Sequence, residues 1–505
     1  MSKCCVLNFK TRKGNDYIMD GNTNNVIPVD ELFMKTLRLF ESDDATVEFV
    51  ANELIKDGAG EMESRRAARV VSKYKELGYF YRDEKYEAKK RRFQKDFGTD
   101  SIAALYNNGV MFQLILNMTE DCNLRCKYCY LSEVYDYTRN RTCNTMSFDV
   151  AKRAINQFMT KIRKTMTFNP GKKAAVTFYG GEPLMNFSVL KSSVEYINKE
   201  YSDVDVLYNI TTNGTLLNEE YAKFLTDNNF VISVSFDGSK ENHDRNRVFA
   251  NGTGSFDVIY SNLKRFKENY PDYPTIRLLL VQDYYTDMLA NDKFFEENAN
   301  IIPNVAMVNF VSSTNTSYFD NVTQENIATY FDQYNQLIQK YIDLTIADKK
   351  FSSYLYMMMG MSLFIANGRP RVNDSKIPML PFTSACIPGM KISVRTDGTY
   401  DMCERVNSTL PIGDVDNDIN NEVVKDIITD YNDKVTKSCH VCPISTICGA
   451  CYSNCNCCET FKKPDCNNYV GSTAMNMSLL YSILEDDPSQ KSKFDIPDLE
   501  WVLNN

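Results

Sequence analysis

The run Asp121-Cys122-Asn123-Leu124-Arg125-Cys126-Lys127-Tyr128-Cys129-Tyr130 sets three thiols at C-x3-C-x2-C spacing, directly after the apolar segment Phe112–Met118. Three soft sulfur ligands so close together suit an iron–sulfur cluster. A [4Fe–4S] cube held by three thiolates keeps one iron without a protein ligand, and that iron is a place for chemistry. Read from the residues alone, a zinc site or an electron-transfer cluster is the alternative. Zinc, however, usually takes a fourth Cys or His nearby, and none lies within a dozen residues on either side.

Outward from this run the chain alternates apolar strands with amphipathic helices. Strands are expected at Phe112–Met118, Ala174–Tyr179, Val206–Thr211, Val231–Phe236, Ile276–Gln282 and Val305–Val311. Phe148–Thr165 reads as a helix, with Val150, Ala154, Ile155, Phe158 and Ile162 on one face and Ser147 as its N-cap. Alternating β and α implies an α/β fold with a parallel sheet, here a partial (β/α) barrel. Such sheets carry their active sites at the C-terminal ends of the strands.

The whole chain has 505 residues, enough for about three domains. Its net charge of −9 argues against extended nucleic-acid binding, which needs concentrated positive charge. No apolar run is long enough for a membrane span, and the N-terminus lacks the pattern of an export signal, so a cytoplasmic setting is expected. Of 16 cysteines, ten lie between Cys386 and Cys466 and three in the opening run, with Cys4, Cys5 and Cys143 outside. In a long chain without a signal, metal ligation explains this better than disulfides. Only His243 and His440 are present, which nearly excludes a His-built zinc centre.

Further motifs sit at successive strand ends. Gly180-Gly181-Glu182-Pro183 follows Ala174–Tyr179, Thr211-Thr212-Asn213-Gly214-Thr215 ends the next strand, and Ser233-Val234-Ser235-Phe236-Asp237-Gly238 the one after. Alone, Gly180–Pro183 would read as a simple turn. Together with the cysteine run, these segments resemble the signature of the radical S-adenosylmethionine (SAM) enzymes. The resemblance implies a [4Fe–4S] cluster on Cys122, Cys126 and Cys129, with SAM bound at the open iron. It implies SAM contacts from Tyr128 near the adenine, Gly180, Gly181, Glu182 and Pro183 near the ammonium group, and Thr212, Asn213, Ser235 and Asp237 along the ribose and carboxylate. Arg247, in His243-Asp244-x-x-Arg247, is a candidate for the SAM carboxylate. An electron from flavodoxin or ferredoxin would then cleave SAM, and the 5′-deoxyadenosyl radical would take a hydrogen atom from substrate.

The C-terminal cysteines resemble a SPASM domain, which holds two auxiliary [4Fe–4S] clusters. That resemblance assigns Cys439, Cys442, Cys448 and Cys466 to the outer cluster, and Cys386, Cys403 and a cysteine of the 451–455 region (Cys451 or Cys455) to the inner one. The pattern departs from the family locally, because Cys448-Gly-Ala-Cys451 is C-x2-C and Cys455-Asn-Cys-Cys458 follows. Zinc ribbons or spare thiols are the alternatives. Glu404, next to Cys403, is a candidate catalytic proton acceptor; a structural, salt-bridged Glu is the plain alternative.

The first ~95 residues read as a β-hairpin and third strand (Cys5–Phe9, Asp16–Met19, Asn25–Val29) followed by helices at Pro28–Phe40, Ala45–Lys56 and Glu63–Leu77. In the last helix Ala67, Val70, Val71, Tyr74 and Leu77 form the expected apolar face, with Arg65, Arg66, Arg69 and Lys73 opposite. This winged-helix-like unit resembles the recognition element that binds the leader of a ribosomally made precursor peptide. The expected division is 1–95 leader recognition, 96–320 barrel, 321–385 helical bridge, 386–470 SPASM and 471–505 C-terminal helix and tail. Lys85–Lys95 would be a basic connector. The N-terminal unit is treated as separable, so that its removal would leave cluster content intact. The resemblance points to a peptide maturase forming Cys sulfur-to-carbon thioethers, of the sactipeptide or ranthipeptide type, on a Cys-containing precursor. Other peptide modifications (carbon–carbon crosslinks, epimerisation), sulfatase maturation, and a plain electron-transfer protein are the rivals.

Overall fold

The computed structural model describes residues 3–42, 44–82, 111–135, 140–311, 316–369, 371, 386, 388–405, 409–437, 439–457 and 459–494. The basic connector Lys85–Lys95, Cys458 and Trp501 lie outside them.

The expected strands appear as β6 (Gln113–Asn117), β7 (Ala174–Tyr179), β8 (Val206–Thr212), β9 (Val231–Ser235), β10 (Ile276–Gln282) and β11 (Val305–Phe310). They pair in sequence order and in parallel, with Leu114 opposite Val176 and Ile210 opposite Ile232. Helices cross between them. Phe148–Met166 is capped by Ser147, whose side chain accepts from Val150 N, and it buries Ala151, Ala154, Ile155, Phe158 and Ile162. Alternation of branched and aromatic residues drives this packing, and each large apolar side chain removed from water contributes roughly 1.5–3 kcal/mol.

The sheet does not stop where the barrel was expected to end. β12 (Lys391–Val394) lies parallel to β6 on the side away from β7, with Ile392 opposite Leu114. Three antiparallel strands follow it: β13 (Thr399–Asp401), β14 (Gly413–Asp414) and β15 (Asp418–Ile419). The result is one ten-stranded sheet in the order β11-β10-β9-β8-β7-β6-β12-β13-β14-β15. Asn117 ties the seam, donating to Ser393 Oγ at 2.9 Å and to the Val394 carbonyl at 2.7 Å. The strand that leads into the cysteine run is therefore hydrogen-bonded on both sides.

The N-terminal unit has the expected composition: a sheet of β2 (Val6–Lys10), β3 (Asp16–Asp20) and β4 (Val26–Val29), then α1 (Glu31–Leu39), α2 (Val47–Lys56) and α3 (Glu61–Glu76). A short pair, β1 (Lys3–Cys4) with β5 (Tyr81–Arg82), closes it. Its sheet is apolar on both faces. Ile18, Ile27 and Val29 face its own helices, whereas Leu7, Phe9, Tyr17 and Met19 join the main core of the molecule. Phe9 and Tyr17 pack on Tyr481 of the long helix Cys466–Asp486. α3 is rotated relative to the sequence expectation: it buries Ser64, Ala68 and Val71, while Val70 and Leu77 are exposed. The expectation took Val70 and Leu77 as core because their spacing fits a helical stripe; the stripe they form with Met62 faces solvent.

Gln324–Ile346 and the stretch 353–368 are helical, as expected for the bridge. The C-terminal helix begins at Cys466, so it crosses the boundary expected at residue 470. Among the described residues no helix is long and apolar enough to cross a membrane.

Candidate functional site

The cysteine run leaves the C-terminal end of β6 and is braced by the turn that leaves β7. Gly181 N donates to Thr119 O at 2.7 Å and Glu182 N to Asp121 O at 3.0 Å. Both glycines are required by this approach. Gly180 has φ +121, and a Cβ on Gly181 would lie 1.9 Å from Asp121 O. The close contact that demands them here is with the backbone entering the cysteine run.

Each of the three sulfurs accepts from nitrogen donors. Cys122 Sγ faces Leu124 N at 3.4 Å and Asn213 Nδ2 at 3.6 Å, Cys129 Sγ faces Leu131 N at 3.4 Å, and Cys126 Sγ faces Arg247 Nη1 at 3.8 Å. Burial pushes the Cys122 and Cys126 thiols up to about 11 and raises Cys129 as well. Ionised sulfurs here need a cation, and the donors around them are those that stabilise a thiolate. Among the described residues no three His, Cys, Asp or Glu side chains come close enough to hold a single metal ion. Three thiols, each met by nitrogen donors, form a donor set that fits an iron–sulfur cluster.

Around the sulfurs, the strand-end residues form two networks. In the first, Glu182 is fully buried and accepts from Thr212 Oγ1 at 2.7 Å, Asn213 N at 2.6 Å and Leu184 N at 3.1 Å. Burial outweighs these bonds and raises its carboxyl to about 7. Both Glu182 oxygens are engaged within the protein, so it pins one strand-end turn to the next. Asn213 in turn donates to Asn123 Oδ1 at 2.8 Å. In the second network Asp237, 2% exposed, accepts the Tyr128 hydroxyl and Arg247 Nε (3.0 Å) on Oδ2, and Val281 N on Oδ1. The Arg247 guanidinium lies 5.4 Å from the centre of the Tyr128 ring. Burial works against the Arg247 charge, but Asp237 holds it well above its usual range. Pro183 opens a one-turn helix to Asn186 and is buried. Ser235 ends β9 half-buried, opposite Leu279.

His243 is buried and neutral, its pKa lowered by burial; its Nδ1 accepts from Asp237 N at 3.2 Å, and Nε2 lies 3.0 Å from Ser255 Oγ. Its role is to hold the Asp237 turn.

A cavity of about 980 Å³ opens beside Cys126, lined in part by Arg125, Lys127, Arg141, Arg245, Asn246 and Tyr318. Gly180, Glu182, Thr212 and Asn213 do not line it. Sequence reasoning missed its far wall. Arg245 pairs with Asp283 at 2.8 Å, and Tyr318 donates to Asp283 and, at 2.9 Å, to Asn246 Oδ1. The available signal was Asp283, which follows directly on the last residue of β10.

The C-terminal cysteines divide into two sets. Cys439, Cys442, Cys448 and Cys466 line one small, almost wholly apolar cavity together with Val435, Ile444 and Tyr469. Cys451 precedes and Cys455 ends the one-turn helix Tyr452–Cys455, Cys386 is exposed, and Cys403 donates its S–H to Glu404 Oε2 at 3.2 Å. Glu404 is bound by Lys391 Nζ at 3.1 Å. Burial works to raise the Glu404 carboxyl, yet Lys391 holds it below its usual range. The Lys391 ammonium is opposed by burial but held up by Glu404, Cys403 and Cys386. The Tyr179 phenol, raised by burial, feels both Glu404 and the Cys129 sulfur, so this corner faces the end of β7.

Residues 116–290 match the model of the Radical SAM superfamily. The chain therefore carries a radical SAM domain, and the parallel sheet with its strand-end cysteine run is that fold. The cysteine-type anaerobic sulfatase-maturating enzyme of Clostridium novyi (strain NT) is 33% identical over 162 residues, covering 31% of this chain and 41% of that enzyme. The radical SAM cyclopropyl synthase TigE of Paramaledivibacter caminithermalis is 26% identical over 249 residues, 48% of each chain. The chain thus spans less than half the length of either curated relative. Among solved structures, Streptococcus suis SuiB bound to precursor peptide SuiA is similar over 92% of this chain and 99% of that one, at 15% identity and a TM-score of 0.40.

Proposed function

We propose that this protein is a radical SAM maturase that forms sulfur-to-carbon thioethers in a ribosomally made, Cys-containing precursor peptide. The observation that carries the first part is the set of three half-buried cysteines, each sulfur met by N–H donors, at the mouth of a parallel sheet. When bound, a [4Fe–4S] cluster on Cys122, Cys126 and Cys129 together with SAM supplies one-electron cleavage of a carbon–sulfur bond and hydrogen-atom abstraction. The chain's own residues do the rest. Asn213 and Arg247 hold Cys122 and Cys126 by donation to sulfur, Glu182 fixes the Asn213 turn, and Asp237 orients Arg247 and Tyr128. The open cavity beside Cys126, with four cationic side chains on its wall, is sized for part of a peptide.

A peptide substrate is supported by the N-terminal unit. β4 is the edge of its sheet, pairing only with β3 among the described residues, and an extended peptide can add to such an edge. On α3, Met62, Arg66, Arg69, Val70, Lys73 and Leu77 form an exposed face of mixed basic and apolar character. Arg65 is not part of it, being held by Glu48 and Glu61. The face suits an acidic leader with apolar anchors. The thioether outcome is supported by the second cysteine-lined region. Two auxiliary [4Fe–4S] clusters there, an outer one on Cys439, Cys442, Cys448 and Cys466 and an inner one using Cys386, Cys403 and Cys451 or Cys455, would give a peptide thiolate a place to bind. Glu404, ionised beside Lys391 and next to Cys403, would be placed to take up the peptide thiol's proton once iron binding has made that thiol more acidic. Flavodoxin or ferredoxin would supply the electron, in the cytoplasm.

Sulfatase maturation is the second reading, favoured by the identity to the Clostridium novyi enzyme. Anaerobic incubation of reconstituted protein with SAM, reductant and a Cys-containing peptide encoded beside it separates the two. A loss of two hydrogens per crosslink with matching loss of free thiol is the expected result. An unmodified peptide together with a modified sulfatase fragment would overturn it.

A further inference from the structure

The N-terminal unit reaches the four-cysteine cavity through one buried cation. Arg82, 2% exposed, ends the short strand that closes that unit. Its Nη1 faces the carbonyls of Cys439, His440 and Cys442 at 3.4, 3.1 and 3.2 Å and Ser445 Oγ at 2.7 Å. Nη2 donates to Gly21 O at 2.5 Å and Nε to Asn22 Oδ1 at 2.9 Å. The Asp20–Asn25 turn between β3 and β4 is thus joined to the cysteine loop by the same side chain.

The turn itself is rigid and pressed on that loop. Asp20 accepts from Asn22 N, Thr23 N, Thr23 Oγ1 and Phe80 N, and Asn22 Nδ2 donates to the carbonyls of Gly78 and Tyr81. A Cβ on Gly21 would lie 2.8 Å from the Pro443 carbonyl, so only glycine allows this approach. Thr446 Oγ1 donates to Asn24 Oδ1 at 2.9 Å across the same contact.

We propose that Arg82 is a positioning residue for the four-cysteine site. By gathering the carbonyls of Cys439, His440 and Cys442 it turns the loop so that Cys439, Cys442 and Cys448 meet Cys466, and the N-terminal unit becomes a built part of a cluster site at the opposite end of the sequence. The inference rests on the proposal that these thiols hold an auxiliary cluster. A fixed cation this near an anionic cluster also favours its reduced, more negative form, raising its potential. On this proposal, removing the N-terminal unit would cost the outer cluster, the opposite of what the sequence led us to expect.

The test uses the full chain carrying Cys122→Ala, Cys126→Ala and Cys129→Ala, so that all remaining iron belongs to the C-terminal cysteines. Iron and sulfide are counted after anaerobic reconstitution, and potentials are read by redox titration followed by electron paramagnetic resonance. Arg82→Gln is expected to lose about four irons per chain, the content of one cluster, or to retain them at a lower potential. Arg82→Lys keeps the charge but lacks the separate Nε and Nη2 donors that hold Asn22 and Gly21 while Nη1 faces the loop, so it should load less while the loaded fraction keeps a potential near that of the parent. Equal iron and equal potential in Arg82→Gln and the parent would overturn the proposal. If Arg82→Gln does not fold, Ser445→Ala, which removes the 2.7 Å bond, decides: reduced loading or a lowered potential supports the role, and no change in either overturns it. A parent whose iron is unaffected by Cys439→Ala and Cys442→Ala would instead overturn the cluster reading itself.

Discussion

Arg247 donates from Nη1 to Cys126 Sγ at 3.8 Å while its Nε holds Asp237 Oδ2 at 3.0 Å. Arg247 thus links a thiol of the cysteine run to the turn after β9. Removing it leaves a buried carboxylate without its counter-charge, a loss that typically costs about 3–5 kcal/mol. Arg247→Gln is therefore expected to be destabilised by that amount in anaerobic denaturant titrations, and to bind less iron at the radical site than the parent. A variant of parental stability and iron content would show that the Asp237 pair is dispensable.

Gly181→Ala drives a methyl group to 1.9 Å from Asp121 O, a backbone atom with no room to give. The turn after β7 must separate from the entry to the cysteine run, so iron loading at Cys122–Cys129 should fall several-fold, with melting temperature falling in parallel. Gly252→Ala serves as the control for a glycine with positive φ but no neighbour within 4 Å.

Glu182 sets a pH dependence whose sign follows from its raised carboxyl. Between its ordinary 4.5 and about 7 the native protein binds a proton that the unfolded chain has released. Stability from this group is therefore full below 4.5 and is lost as pH rises through about 7. The interval corresponds to about 3 kcal/mol. Glu182→Gln has no such titration. Its stability relative to the parent should improve by up to that amount between pH 5 and pH 8 in paired denaturation curves. A constant difference would place the Glu182 titration elsewhere.

Arg66 and Arg69 make no ion pair among the described residues, unlike Arg65. Reversing both charges in full-length protein should weaken binding of an acidic leader peptide about tenfold or more and flatten its salt dependence. Thermal stability should be unchanged, because both side chains are exposed. Equal affinity in calorimetry would remove α3 from the binding surface.

Local periodicity made the barrel legible: each of the six parallel strands lies within a residue or so of its expected place, because buried parallel strands are continuous apolar runs bounded by turns. β12 to β15 escaped because they are two to four residues long and owe their order to pairing with β6, more than 270 positions away in the case of Asn117 and Ser393. The cysteine run was legible as chemistry, since the residue types themselves are the donors. The partners of Arg247, Glu182 and Arg82 were not, because an arginine facing a ligand and one facing backbone carbonyls are the same letter. The α3 face was misread for a related reason: helical spacing gives a stripe but not which stripe is wet.

The seam between β6 and β12 has a mechanical consequence. Because the strand feeding the radical site and the strand leading to Cys403 are laddered side by side, Lys391 to Val394 against Gln113 to Leu116, their separation is fixed by peptide geometry. No hinge lies between them in the ladder. Under the proposed function, a peptide that visits both places would therefore be moved by sliding and not by closure of one strand on the other, with the travel taken up by slack in the peptide itself.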